Sequence, residues 1–205
     1  MFANLTPTVR TLLIANLAVF AAQTFFGADL FAPLELWPLH RDLLYGALPF
    51  EPWQLVSYGF LHFQFWHLFA NMFALYMFGP DVERLLGSAR FRVFYLVCLV
   101  GAALTQLVVG ATIQPSPYPT LGASGAIFGI LLCYGMGFPR RTLMLIFPPI
   151  PMPAWLFVTL YGVLELFYGV SGREPGVAHF AHLGGMAAGY ALILYWRARG
   201  ARRRR

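Results

Sequence analysis

Four polar side chains lie inside apolar runs of this chain where hydrocarbon would be expected to exclude them: His67, Asn71, Ser124 and His182. A polar group in a membrane segment is expensive, so each needs a partner or a task. His67 and Asn71 are four apart and share one helix face. Ser124 belongs to Gly122-Ala123-Ser124-Gly125, and His182 follows His179 by three and precedes Gly184, Gly185 and Gly189. Taken singly, each has a plain explanation. Gly-Ala-Ser-Gly at a helix start is a packing motif, a membrane histidine is commonly hydrogen-bonded glue, and His67 with Asn71 can clamp two helices. The serine also fails the Gly-x-Ser-x-Gly nucleophile elbow, because residue 126 is Ala. Taken together they supply a hydroxyl, a base for its proton and donors for a developing oxyanion, the three parts an acyl-transfer protease needs.

The elements that must position these groups are membrane helices. Apolar residues make up 59% of the 205, charged ones only 11%, and mean hydropathy is +0.65. A soluble domain carries about a quarter charged residues, so the solvent implied is lipid. Six apolar segments are predicted, over Thr11–Phe26, Phe63–Phe78, Phe91–Thr112, Ala123–Phe138, Ala154–Val170 and Val177–Trp196. The first has a single preceding positive charge, Arg10, and no small-residue cleavage site after it, which favours a retained helix over a signal peptide. Cys98 and Cys133 sit within apolar runs and read as packing residues.

All basic residues are arginine, and the net charge is +6. They lie between and after the apolar runs without aromatic interleaving, which argues against nucleic acid. With the N-terminus in the cytoplasm, twelve arginines fall inside and only Arg41 and Arg173 outside. That bias requires an even number of spans and puts both termini in the cytoplasm. It also sets Ser124 and His182 near the outward ends of spans four and six, with His67 and Asn71 in the outward half of span two. Span four, at ~1.5 Å per residue, is about 24 Å long against ~30 Å of hydrocarbon. Ser124 is thus expected below the surface, under loops. The stretch Gly27–Ser57, with Trp37 and Trp53 among Pro, Asp and Glu, suits the interface. The Pro-rich loop Ile113–Leu121 cannot be helical throughout.

These residues resemble the rhomboid intramembrane serine proteases over nearly the whole chain. The family's His, Asn and Gly-x-x-x-Glu pattern is met by His67, Asn71, Gly79 and Glu83; its Gly-x-Ser-Gly by Gly122 to Gly125; its His and Gly-x-x-x-Gly by His182, Gly185 and Gly189. The resemblance implies an all-α, six-transmembrane-helix bundle with a long interfacial loop between helices one and two, forming one domain over residues 1–205 with a short cytoplasmic N-terminus and an Arg-rich cytoplasmic tail. It implies a serine endopeptidase with Ser124 as nucleophile, His182 as base, and His67, Asn71 and the Ser124 N–H as oxyanion donors. No acidic third member, metal or organic cofactor is expected. Expected partners are the bilayer, in the cell (inner) membrane, and transmembrane substrates with small residues at the cut and helix-breaking residues in the span; the oligomeric state is left open. The loop Ser171–Val177 corresponds to the family's lid and span five to its gate, with Trp155, Phe157 and Phe167 facing Phe69 and Phe73.

Two positions depart from the family pattern: Gln54 follows Trp53 where an Arg is usual, and Phe128 replaces a common Tyr one turn after the serine. The first predicts a less well braced loop. The second predicts stacking on the histidine without a hydroxyl. His62 and His179 are expected to have structural hydrogen-bonding roles, and Glu165, late in span five, to reach the interface. A non-catalytic, rhomboid-like client-binding protein is the alternative, though such relatives typically lose the Ser or the His. A small transporter would need a midplane site between repeats, and no repeat is visible.

Overall fold

The computed structural model describes residues 5–39, 46–145, 149–172 and 177–202. Among these, six helices of fourteen residues or more carry most of the chain: α1 (Pro7–Phe26), α3 (Phe65–Leu86), α4 (Ser88–Thr112), α5 (Ser124–Gly137), α6 (Ala154–Ser171) and α7 (His179–Arg202). A short α2 (Gln54–Ser57) lies in the connection from α1 to α3, and two three-residue strands, β1 (Thr142–Met144) and β2 (Pro151–Pro153), pair antiparallel between α5 and α6. The hairpin is an addition to the all-α expectation. Among the described residues three helices, α1, α4 and α6, are long and apolar enough to cross a membrane.

Each predicted segment contains a helix, but α3 runs eight residues past its apolar window, from Phe78 to Leu86. Its polar extension has a packing task. Helix α1 opens with Pro7 at its first turn, where a missing N–H costs nothing. Two of its orphan amides, Thr8 and Val9, donate to the Glu83 carboxylate at 3.0 and 2.9 Å, and the Thr6 hydroxyl donates to it as well. A buried carboxylate thus caps a helix N-terminus, where the dipole favours negative charge. One turn earlier, Gly79 lies so close to Val9 that a Cβ would come within 2.8 Å of it.

Helix α4 runs through the centre, burying Phe91, Phe94, Tyr95, Cys98, Leu99, Ala102 and Ala103 against α5 and α7. Both free cysteines are buried packing residues. Small side chains set these close approaches, a packing device common in membrane helix bundles. A Cβ at Gly185 would collide with the Gly125 carbonyl, and one at Gly129 with the Cys98 sulfur. Ten of the fourteen residues of α5 are buried in consequence. Large apolar side chains such as Ile14, Phe65, Leu104, Val163 and Tyr195 face outward, a surface suited to lipid.

Helices α3, α5 and α7 run in one direction: His67 lies beside Gly122, Phe78 beside Tyr134 at 5.0 Å, and Gly185 against Gly125. Their C-terminal ends gather the arginines. Asp81 pairs with Arg84 at 3.1 Å and with Arg141, while Arg199 lies over Tyr195. Their N-terminal ends carry His67, Asn71, Ser124 and His182.

The connection from α1 to α3 is braced without the expected charge. Gln54 is 1% exposed, accepts from the Trp37 N–H at 3.1 Å and donates to the carbonyls of Pro33 and Pro49 at 3.2 Å each. The Trp53 indole donates to Pro33 O at 3.0 Å. A bridge between Leu36 and Thr120 then ties this connection to the Pro-rich loop before α5. A neutral amide, with donors and an acceptor, thus ties three backbone groups of this connection together.

Candidate active site

Ser124 is the first residue of α5 and is half-buried among fully buried neighbours. The chain reaches it through Gly122, whose φ of +121° is strained for any residue with a side chain. The Gly122 N–H donates to the Tyr58 carbonyl at 2.9 Å, and the Tyr58 hydroxyl donates to Leu99 O at 2.8 Å, which pins the turn to α4. The serine hydroxyl is directed at α7, where His182 Nε2 lies 2.8 Å from its Oγ. Phe128, one turn along α5, stacks flat on the His182 ring with centroids 4.3 Å apart. The stacking expected of Phe128 is present.

His67 and Asn71 line the other side of Gly122. A Cβ at that glycine would come within 2.7 Å of the His67 ring and 3.9 Å of Asn71 Nδ2. Only a glycine lets the turn before Ser124 pass this close. Asn71 donates one of its two amide hydrogens to the His67 carbonyl at 3.0 Å, leaving a second donor. His62 sits edge-on to His67 at 5.1 Å, and burial, reinforced by His67, pulls its imidazole down to about 4, so it is neutral near pH 7. All four residues singled out in the sequence thus converge on one turn, that of Gly122 to Ser124. The segment expected to act as a lid lies largely outside the described residues, at 173–176.

One neighbour was not anticipated. Glu165 of α6 turns toward α7; its Oε2 lies 2.8 Å from Nδ1 of His182 and 2.8 Å from Nδ1 of His179. An acidic group thus stands beside the pair, supplied by span five and not by spans two, four or six. The three ligand atoms of Glu165, His179 and His182 lie within 4.8 Å of one another, close enough to hold a metal ion. The only hint available in one dimension was the cost of a carboxylate in an apolar helix, which demands a partner.

A hydroxyl against an imidazole nitrogen, with amide and ring donors across the same turn, is equipped for nucleophilic acyl transfer. Comparison with known proteins agrees with the sequence motifs. A family model described as "Rhomboid domain" matches residues 49–199. The chain is 33% identical over 150 residues to "Rhomboid protein 1, mitochondrial" of Saccharomyces cerevisiae, covering 69% of this chain and 40% of that protein. It is 42% identical over 81 residues to "Rhomboid protease GluP" of Bacillus subtilis, covering 40% and 15%. It is 31% identical over 143 residues to "Rhomboid-type serine protease 2" of Emericella nidulans, covering 66% and 25%. The chain therefore spans less than half the length of each of these relatives.

Proposed function

From the premise that the chain belongs to the rhomboid family, as an integral membrane protein, we propose that it is an intramembrane serine endopeptidase. In this reading it is a single six-span domain that cleaves transmembrane segments of other membrane proteins. The observation that carries the reading is the 2.8 Å approach of His182 Nε2 to Ser124 Oγ. Three relatives bearing protease names support it at family level.

The chemistry follows from the geometry. Ser124 Oγ attacks the scissile carbonyl carbon while its proton passes to His182 Nε2. The carbonyl π pair moves onto oxygen, and the oxyanion takes hydrogen bonds from Asn71, His67 and the Ser124 N–H. His182 then gives its proton to the leaving amine, and water repeats the sequence on the acyl-enzyme. A membrane helix hides its carbonyls in hydrogen bonds, so the substrate must unwind locally before attack. The placement of Ser124 at the N-terminal end of a helix about 21 Å long, by rise per residue, suits water access from one face.

The test is labelling with a serine-reactive fluorophosphonate probe in detergent, comparing the parent with Ser124→Ala. Labelling confined to the parent is expected. Equal labelling of both removes Ser124 as nucleophile and leaves the client-binding alternative.

A further inference from the structure

The contact between α6 and α7 is built to bring a carboxylate to the back of the His182 ring. Gly162, Glu165 and Gly169 fall at spacings of three and four, so they share one face of α6. Gly169 lies against Phe180 and His179, and Gly162 against Met186. Between these two close approaches the Glu165 side chain is only 13% exposed. His179 and His182, three apart on α7, present both Nδ1 atoms to its Oε2 at 2.8 Å.

An ionised carboxylate only accepts hydrogen bonds, so each Nδ1 facing it must carry the hydrogen. For His182 that leaves the Nε2 lone pair pointing at Ser124 Oγ, 2.8 Å away. This is the tautomer a general base requires. Neutral imidazole left to itself would divide between two tautomers, one of them unable to take the serine proton. The second histidine holds the carboxylate: His179 is 6% exposed on its side chain and packs at 5.6 Å on Tyr168 of α6.

We propose that Glu165 is a positioning residue for the reaction, completing a Ser124–His182–Glu165 triad in which His179 anchors the carboxylate. The proposal rests on the reading of Ser124 and His182 as nucleophile and base. During attack the serine proton moves to His182 Nε2 and the Oγ–carbon bond forms as the carbonyl π pair moves to oxygen. Glu165 keeps its hydrogen bond to Nδ1–H and its negative charge throughout, balancing the imidazolium; no proton passes to it. It touches neither substrate nor reacting atoms.

The experiment compares parent, Ser124→Ala, Glu165→Gln and His179→Phe on one transmembrane substrate, with Tm measured for each. Glu165→Gln is expected to lower kcat by at least about tenfold with KM little changed, since an amide at this place in a serine triad favours the wrong tautomer. His179→Phe is expected to lower kcat by a smaller factor. Nitrogen-15 histidine spectra of Ser124→Ala should show a downfield Nδ1–H proton for His182, absent once Glu165→Gln is added. The spectrum tests the hydrogen bond of the native Glu165 in protein that needs no activity, even if Glu165→Gln folds poorly.

Full kcat in a folded Glu165→Gln, or no Nδ1–H signal in Ser124→Ala, overturns the proposal. So does loss of the parent's turnover on adding a chelator, which would make the cluster a metal site. A Ser124→Ala variant that still turns over would sink the dyad itself, a failure distinct from that of Glu165.

Discussion

The His182 imidazole lies parallel to the Phe128 ring, 4.3 Å between centroids and 7° between planes. Stacking restricts rotation about the ring's own attachment, so Nε2 stays directed at Ser124. Such a pair is worth ~0.5–1.5 kcal/mol, or roughly twofold to just over tenfold in rate if it is lost only where the base must be aimed. Phe128→Ala should lower kcat by about that factor and also lower Tm, because a large buried side chain is removed. Phe128→Tyr should keep both. Steady-state kinetics and melting of the two variants check this; an undiminished kcat in Phe128→Ala shows that stacking has no part in aiming the base.

The dyad makes a sharper demand. Ser124→Ala and His182→Ala should each abolish turnover in protein that still inserts and folds. Because one proton transfer joins them, the double variant should be little worse than either single one. Residual rates measured with high enzyme concentration settle the point, and costs that multiply would argue against a shared step.

Across the turn, Asn71→Ala should lower kcat by roughly 10²-fold, with KM nearly unchanged, if its second amide hydrogen meets the oxyanion. His67→Ala should act similarly. Full turnover in both variants would leave α3 as a packing partner only.

How far the site could be read in advance depended on the dimension in which its parts lie. His67, Asn71, Ser124 and His182 stood out because each interrupts an apolar run, and spacing within one helix fixes a face. Glu165 interrupts a run just as plainly. Its partners, however, lie on the next helix, and which faces of α6 and α7 meet is decided by Gly162 and Gly169 in three dimensions. The end of α3 was missed for a related reason. Hydropathy falls at Asp81, Glu83 and Arg84, yet the helix continues because Glu83 is used to cap α1. In sequence Gln54 shows only a missing charge, whereas its contacts depend on three backbone partners brought together by the fold.

The connection from α1 to α3 should respond to pH through Glu35. Burial, with a smaller push from Asp29, raises its carboxyl from 4.5 to about 7. Between those values the folded state keeps a proton that the unfolded state has released. Its contribution is therefore fully present below about 4.5 and is lost as pH rises through about 7. Limited proteolysis of this connection should speed up over that window, and Glu35→Gln should flatten the dependence. A parent profile that is level across the window refutes the assignment.

Substrate entry gives the last test. Helix α6 packs mainly on α5 and α7, and an aromatic contact joining it to α3 is Phe157 against Phe78, at 6.4 Å. Phe69 and Phe73, expected opposite the gate, stack on each other along α3 at 5.9 Å and are 50% and 40% exposed. Phe157 also packs on Tyr161 at 4.7 Å, and Tyr161 on Phe128 at 6.4 Å, so it stands at the edge of the site. Truncating it removes packing worth at most ~3–5 kcal/mol, less at a lipid-facing seam, and loosens α6 from α3. Phe157→Ala should therefore melt earlier yet cleave a membrane-embedded substrate faster than the parent. A short soluble peptide, entering from the water face, should be cleaved at an unchanged rate. The two substrates are compared in the same detergent. If the variant slows both equally, entry does not pass between α3 and α6.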